Sequence, residues 1–241
     1  MRVIVAALVA AAVVLPPGIA RADQPVRRTL ERTADAAPRV RVDDPVGDVH
    51  VVGDDGATVR VTARVRASDD AAARAVDVEA VRNGDETHVQ VQIDHRSPGM
   101  WQLFDRRRIQ VDLTVAVPRA SVLAADLPVG AMDVRGVAGA IDVHVGTGDL
   151  RVHDVAAGAS VTVGTGDVRI ELAPSWNGPR LMARSKIGDV RITAASGLRA
   201  RVDAHTRLGD VHNALAAASA GAAAPLIDAR TNVGDVSIVT R

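Results

Sequence analysis

Apolar and polar residues alternate along most of this chain. The clearest examples are residues 58–66, where Val59, Val61, Ala63 and Val65 occupy every second position, and residues 109–115. Alternation with a period of two is typical of a half-buried β-strand, because successive side chains point to opposite faces of the sheet. The pattern therefore predicts an all-β protein made of many short strands.

The alternation is broken repeatedly by a Gly-Asp pair that precedes another short alternating segment. Five such pairs, 18 to 25 residues apart, are Gly148-Asp149, Gly166-Asp167, Gly188-Asp189, Gly209-Asp210 and Gly234-Asp235. Gly47-Asp48 is an earlier copy, and we interpret Met132-Asp133-Val134-Arg135 as a degenerate copy without the Gly. Because Gly allows a positive φ and Asp favours turns, each pair predicts a corner between two strands.

Repeats of roughly twenty residues are typical of solenoids, in which each unit buries its apolar face against the next. The sequence accordingly predicts a single-stranded β-solenoid or β-roll that occupies residues 39–241 as one domain. Residues 119–241 would form the repeat coils, and residues 39–118 an N-terminal β portion. This portion contains a predicted hairpin around Asn83-Gly84-Asp85 and one short helix at residues 71–75, capped by Ser68-Asp69-Asp70.

The first 22 residues have the features of an export signal. Met1-Arg2 carries a positive charge, residues 3–15 are all apolar, and Ala20-Arg21-Ala22 has the form of a cleavage site. An apolar run of this length is shorter than the about 20 residues that span a membrane. We therefore expect a periplasmic or secreted protein that begins at Asp23, has a flexible leader over residues 23–38 and lacks a transmembrane span.

Charge and cysteine content narrow the classes of partner and of stabilisation. The chain has 29 basic and 29 acidic residues, and loss of Arg2 and Arg21 with the signal leaves 27 − 29 = −2. A nearly neutral chain has no bulk attraction to nucleic acid, so we expect no nucleic-acid partner. The chain contains no cysteine, so its stability must come from packing and hydrogen bonds.

Stacking the repeat units would place the five Asp residues of the second half in a line. Such a line of carboxylates would offer oxygen ligands to Ca²⁺, but the spacing differs from that of Ca²⁺-binding nonapeptide repeats. We favour a structural role, because Asp accepts hydrogen bonds from turn N–H groups. The residue two positions after the Asp is basic in most copies, which would pair the charges: Arg135, Arg151, Arg169, Arg191 and His212.

No catalytic, cofactor-binding or metal-ligating residue is assigned from the sequence. It lacks a Gly-x-Ser-x-Gly nucleophile motif, a phosphate-binding loop and a His-Glu-x-x-His motif. Paired carboxylates for glycoside hydrolysis remain an alternative, since the many Asp residues allow several pairs.

One segment departs from the repeat and is the candidate partner-binding loop. It combines large apolar side chains with three basic ones: Met100, Trp101, Leu103, Phe104, Arg106, Arg107 and Arg108. An exposed cluster of this composition is typical of a protein or membrane contact. The alternative is that the apolar side chains cover the end of the solenoid core, because large apolar side chains are usually buried.

The repeated Val-x-Val-x-x-Gly-Asp-Val-x-Val units, the export signal and the strand that ends in Val115-Ala116-Val117-Pro118 resemble a bacterial β-strand-repeat family. That family has no established function and carries the label putative adhesin. The resemblance extends from Val40 to the C-terminus. It implies a right-handed, exported β-solenoid or β-roll, and it offers no catalytic residues to carry over.

These observations predict a non-enzymatic binding or scaffold protein of the cell envelope that requires no cofactor. Its partner would be an envelope protein or a polysaccharide. The first alternative is a polysaccharide-active β-helix enzyme. The second is a self-assembling structural protein, in which the edge of the C-terminal strand, residues 236–240, pairs with another chain.

Overall fold

The structure is a computed structural model that describes residues 26–44, 46–93, 109–215 and 224–241. It confirms the predicted all-β class with one short helix, α1 (Asp70–Arg74). Within the described residues, no helix is long and apolar enough to cross a membrane. The predicted export signal, residues 1–22, and the candidate loop, residues 100–108, both lie outside the described residues.

The strands of the described residues form two large open sheets. Ten strands make sheet 1: β1 (Val26–Asp35), β3 (Gly47–Asp54), β4 (Thr58–Ala67), β7 (Ile109–Pro118), β9 (Met132–Arg135), β11 (Leu150–Val155), β13 (Val168–Leu172), β15 (Val190–Ala194), β17 (Val211–Asn213) and β19 (Val236–Thr240). Nine strands make sheet 2: β2 (Arg39–Asp43), β5 (Val76–Asn83), β6 (Glu86–Ile93), β8 (Val122–Val129), β10 (Ile141–Thr147), β12 (Ala159–Thr165), β14 (Arg180–Ile187), β16 (Arg201–Leu208) and β18 (Leu226–Val233).

Each repeat unit contributes one strand to each sheet, and the Gly-Asp pair lies at the corner between them. In one unit, for example, β10 of sheet 2 is followed by Gly148-Asp149 and then by β11 of sheet 1. Equivalent strands of neighbouring units pair in parallel. The inward side chains of both sheets form one hydrophobic cluster, which is made largely of Val, Leu, Ile and Ala. Both sheets are mixed, because antiparallel pairs occur at their N-terminal ends.

The predicted local elements of the N-terminal portion are confirmed. β5 and β6 form an antiparallel hairpin in which Asn83 pairs with Glu86, so Gly84 and Asp85 form a two-residue loop. Helix α1 begins after Asp69, whose carboxylate accepts a hydrogen bond from the Ala72 N–H at 2.8 Å. Both elements depend on adjacent residues alone, which is why the sequence predicts them.

The prediction of a flexible leader over residues 23–38 is wrong for the part that the structure describes. Residues 26–35 form β1, which pairs antiparallel with β4 over its whole length, and Leu30 and Ala37 are buried. β1 carries mostly polar side chains because it lies at the edge of sheet 1. Backbone pairing with β4, which does not depend on an apolar pattern in β1, holds it in place.

The repeat units are not stacked in chain order. The last unit, β18 and β19, lies between the unit of β14 and β15 and the unit of β16 and β17. The predicted free edge at residues 236–240 is therefore wrong: β19 pairs with β15 on one side and with β17 on the other. At this end of the molecule β16 and β17 are the edge strands, because the returning chain places β18 and β19 inside them.

The degenerate repeat copy is also shifted by two residues relative to the prediction. Asp133 is level with Arg151, and Gly130-Ala131 occupies the corner where other units have Gly-Asp. Gly130 has a φ of 143°, which matches the corner glycines of the other units. The interval from this corner to Asp149 is therefore 149 − 131 = 18 residues, equal to the next interval.

Candidate functional site

The predicted column of Gly-Asp corners exists, and close approach of neighbouring units explains its glycines. Gly166 has a φ of 138°, and a Cβ atom added to it would lie 2.1 Å from the Gly148 carbonyl oxygen. The other corner glycines meet the same obstacle from the unit beside them. A side chain at this position would therefore be opposed by both the backbone conformation and the contact.

The aspartates of the column are joined into a ladder by their own backbone. The Asp167 N–H donates to Asp149 Oδ1 at 3.1 Å, and the Asp189 N–H donates to Asp167 Oδ1 at 3.0 Å. The Asp235 N–H then donates to Asp189 Oδ1 at 2.9 Å, and the Asp210 N–H to Asp235 Oδ1 at 2.8 Å. Each carboxylate thus binds the neighbouring unit rather than its own turn, and we call this column the corner ladder.

Arginines lie beside the corner ladder. Arg151, Arg169 and Arg191 are in register on the outer face of sheet 1. Arg169 Nη2 is 2.9 Å from Asp167 Oδ2, and Arg151 Nη2 is 3.3 Å from Asp149 Oδ2. These pairs join residues two apart in the sequence. Arg169 Nη1 also lies 3.9 Å from Asp149 Oδ2 of the neighbouring unit, which is a pair between units of the kind that the sequence predicts. The pairs are half-exposed, so each contributes at most about 1 kcal/mol.

The hydrogen bonds of the corner ladder bear on the alternative that its aspartates bind Ca²⁺. One oxygen of each of four aspartates already accepts a backbone hydrogen bond. Among the described residues, no three His, Asp or Glu side chains are grouped in a way that would hold a metal ion.

The outer face of sheet 2 carries a second group of polar side chains that the sequence did not single out. A shallow cavity of about 270 Å³ is lined chiefly by Arg41, Asp43, Asp44, Gln90 and Asp126. An adjoining cavity extends from Arg41 and Asp126 to Asp142 and His144. We call the two cavities together the sheet-2 groove, and its lining is predominantly acidic.

Within the groove, one carboxylate is tightly bound. Asp43 Oδ2 accepts hydrogen bonds from Arg41 Nε at 2.9 Å and lies 2.8 Å from His88 Nε2. The hydrogen bond that Arg41 donates to Asp43 raises the pKa of Arg41 above its already high value. Asp43 Oδ1 is buried and has no hydrogen-bond partner among the described residues.

Asp44 is the most unusual residue of the groove. Its side chain points inward at the level of Leu127, in a column that is otherwise apolar in the neighbouring strands. Its Oδ1 accepts a hydrogen bond from the Val46 N–H at 3.2 Å, whereas its buried Oδ2 has no partner in the described part of the chain. Burial raises the pKa of Asp44 to about 7, against the opposing effect of that hydrogen bond.

The sequence does contain a signal that identifies Asp44. It lies four residues before Asp48, and the same position in the later units is occupied by Val145, Val163, Ser185, Thr206 and Thr231. Aligning the first Gly-Asp pair with the others therefore places an aspartate in the inward column. The polar groove beside it is harder to predict, because it combines side chains from β2, β6 and β8.

The other end of the same outer face is basic. Buried Asp228 is surrounded by Arg230 Nε at 2.7 Å, Arg180 Nη2 at 3.0 Å and Arg184 Nη2 at 3.6 Å. Exposed basic side chains on β14, β16 and β18 form what we call the basic patch: Arg180, Arg184, Lys186, Arg201, Arg207 and Arg230. Since Asp203 and Asp228 are the acidic residues of these strands, the patch keeps a net positive charge.

The molecule is thus an open two-sheet β protein with repeated Gly-Asp corners. It shares this fold with a structure described as a putative cell adhesion protein from Clostridium sporogenes, with 10% identity and a TM-score of 0.56, covering 89% of this chain and 100% of that one. A structure described as a putative adhesin from Bacteroides fragilis matches with 11% identity and a TM-score of 0.48, covering 89% of this chain and 97% of that one. The description of the clostridial structure confirms the resemblance to adhesin-labelled proteins.

No protein-family model matches the chain, and no curated protein matches it. At 10% identity, the likeness to the clostridial structure shows a shared fold. Any role must be argued from the surfaces of this chain.

Proposed function

We propose that this chain is an exported, non-enzymatic binding or scaffold protein of the cell envelope, built as a β-solenoid and adhesin-like in its role. The observation that carries the proposal is the outer face of sheet 2. It presents an acidic groove and a basic patch on one continuous sheet. Export is supported by the signal-like residues 1–22 and by the adhesion labels of similar structures.

The spacing of this face favours an extended partner with repeated charges. Neighbouring strands lie about 4.8 Å apart, so in-register side chains form rows with a fixed spacing. An anionic segment of an envelope polysaccharide or protein would meet the basic patch, and a cationic segment would meet the groove. The one aromatic residue of the described part is Trp176, which is buried. Recognition through charge and hydrogen bonds therefore suits this face better than stacking on sugar rings.

A binding experiment with matched variants tests the proposed face. Arg180→Ser/Arg184→Ser removes two charges from the basic patch and leaves the Arg230 contact to Asp228. Arg151→Ser/Arg191→Ser removes two charges from the outer face of sheet 1 and serves as the control. Binding to immobilised envelope polysaccharide and protein fractions should weaken at least about tenfold in the first variant only. Equal binding by both variants, with unchanged circular dichroism, would reject the basic patch of sheet 2 as the binding site.

Export has its own test. Cells that express the full chain should accumulate a processed form outside the cytoplasm whose N-terminus, by Edman sequencing, is Asp23. A chain that lacks residues 1–22 should stay in the cytoplasm. Recovery of the unprocessed full chain from the cytoplasm would contradict the proposed localisation.

One observation favours a second candidate, a polysaccharide-active enzyme. A carboxyl that keeps its proton near neutral pH, close to a second carboxyl group, is what a general acid in glycoside cleavage requires. Asp44 has this property and lines the groove with Asp43 and Asp126. Its burial restricts contact with a large substrate, which is why binding remains our first proposal. Release of reducing ends from envelope glycans by the native chain, and loss of that release in Asp44→Asn, would establish the enzyme instead.

A further inference from the structure

The two ends of the sheets differ in the contacts that their edge strands make. At the N-terminal end, the edge strand of sheet 1, β1, approaches the edge strand of sheet 2, β5. Arg28 Nη1 on β1 donates to the Ala73 and Val76 carbonyls at 3.2 Å each, and Arg32 pairs with Asp77 at 2.9 Å. Helix α1 packs beside them with Ala73 buried. At this end, helix α1 and the side chains of Arg28 and Arg32 therefore bridge the two sheets.

The opposite end, which we call the open end, consists of the edge strands β16 and β17. The inward residues Val202, Ala204 and Thr206 of β16 are half-exposed, although the residues level with them on β18 are buried. Leu208 is 68% exposed and Val211 is 47% exposed. The last layer of the core thus faces solvent in the described chain.

At the open end, the backbone has the same hydrogen-bonding groups as the corners of the other units. Some of these groups have no partner among the described residues. The Gly188 N–H donates to the Val233 carbonyl, and the Gly234 N–H donates to the Leu208 carbonyl. In the described part of the chain no further unit follows β16 and β17, so the Gly209 N–H lacks the corresponding carbonyl. Among the described residues, Asp210 likewise accepts no N–H from a further corner. An unpaired edge with these features is a template for another strand.

We propose that the open end pairs with the open end of a second copy of this chain, β16 against β16 in antiparallel orientation. A two-fold axis at His205 places Asp203 of each copy opposite Arg207 of the other. It also places Val202 opposite Leu208, so outward residues meet outward residues and inward residues meet inward ones. Opposite charges and apolar side chains facing each other across an antiparallel pair are stabilising.

The same geometry explains why the assembly stops at two copies. An isologous contact uses the same patch on both partners and closes on itself. Head-to-tail growth would instead have to pair the open end with the edges of β1 and β5, which the contacts of Arg28 and α1 bridge. A dimer would carry one sheet-2 face per copy, and this inference does not depend on what that face binds.

Oligomeric state and a charge exchange test the proposal. Residues 23–241 should form a dimer in sedimentation equilibrium. Arg207→Asp places two aspartates opposite each other, and Asp203→Arg places two arginines opposite each other. Each variant alone should raise the dimer dissociation constant at least about tenfold, because like charges face each other. An equimolar mixture of the two variants restores both opposite-charge pairs and should form a heterodimer.

The control is Arg191→Asp, which makes the same charge change on the outer face of sheet 1 and should leave the dimer intact. Circular dichroism melting of every variant shows whether it is folded. A native chain that stays monomeric at high concentration overturns the proposal, as does a mixture of folded variants that does not associate. If deletion of residues 216–223 converts a monomer into a dimer, the chain's own segment covers this end and the proposal fails.

Discussion

Asp44 shows how one residue can oppose the pattern around it. Alternation along β2 and β8 makes its position an inward one, level with Leu127. A carboxylate there loses its water, and a single hydrogen bond from Val46 does not replace it. The group therefore holds a proton to an unusually high pH rather than carrying its charge into the core.

The raised pKa of Asp44 predicts that stability falls with rising pH. The folded chain retains this proton up to a pKa of about 7, whereas the unfolded chain releases it near 3.8, so between these values the folded state binds more protons. The free energy of unfolding should therefore decrease from about pH 4 to above pH 7, by roughly 4 kcal/mol from this group. Asp44→Asn should remove that slope and raise stability at pH 8.

Urea unfolding at pH 5 and pH 8 measures the effect. The control is Asp142→Asn, an exposed carboxylate on the same sheet, which should keep the pH slope of the native chain. Identical slopes for the native chain and Asp44→Asn would show that Asp44 is not buried in the way described.

The corner glycines give a second prediction at the scale of one residue. Gly166→Ala introduces a Cβ atom 2.1 Å from the Gly148 carbonyl oxygen at a φ of 138°. We expect a loss of at least about 3 kcal/mol of unfolding free energy, because the neighbouring unit must move. Gly56→Ala is the control, since its nearest neighbour, in the Asp54 side chain, lies at 3.7 Å. Chemical denaturation should find Gly56→Ala within about 1 kcal/mol of the native chain.

At the scale of elements, the corner ladder links strands that belong to different repeat units. Its backbone donors come from one unit and its carboxylate acceptors from the next. An aspartate inside the ladder therefore joins two units, while the last one accepts nothing from beyond it among the described residues.

This asymmetry predicts that Asp→Ala lowers the free energy of unfolding by different amounts at different positions of the ladder. Asp167→Ala removes the acceptor for the Asp189 N–H and the partner of Arg169, and should cost about 1 to 2 kcal/mol. Asp210→Ala leaves every described N–H of the ladder with its acceptor, and should cost less than about 0.5 kcal/mol. Thermal unfolding of both variants under one buffer condition measures the difference. Equal losses would mean that the ladder does not stabilise the contact between units.

At the scale of the whole molecule, the order of the units determines where it opens. β18 and β19 carry the C-terminus but lie inside the sheets, while β16 and β17 precede them in the chain and lie at the edge. Local opening is easiest where a strand has a neighbour on one side only.

Hydrogen exchange should reveal this order. In native-state experiments on the monomer, we expect the amides of β16 and β17 to exchange faster than those of β18 and β19, although the latter end the chain. Arg207→Asp, which disfavours the proposed dimer, supplies the monomer for this measurement. Fastest exchange in residues 236–240 would instead support units stacked in chain order.

Much of the local structure was determined by the sequence alone. Period-two alternation identifies the inward side chains, the Gly-Asp pairs mark the corners, and Asn83-Gly84-Asp85 and Asp69 mark the hairpin and the helix start. These features depend on a few adjacent residues, through side-chain direction and turn chemistry. The edge strand β1 was missed because pairing with β4, which lies some thirty residues away, holds a largely polar segment in place.

Only the tertiary structure decided which strands are neighbours. The neighbouring strands in turn determine the surfaces on which the proposals rest. Every unit offers similar inward residues and the same Gly corner, so the local pattern does not distinguish β14 from β16 as a partner for β18. The choice depends on contacts summed over whole units and on the lengths of the connections between them. The sheet-2 groove follows from that order because it combines strands that are distant in the sequence. The open end follows from it because the returning chain places β18 and β19 inside β16 and β17.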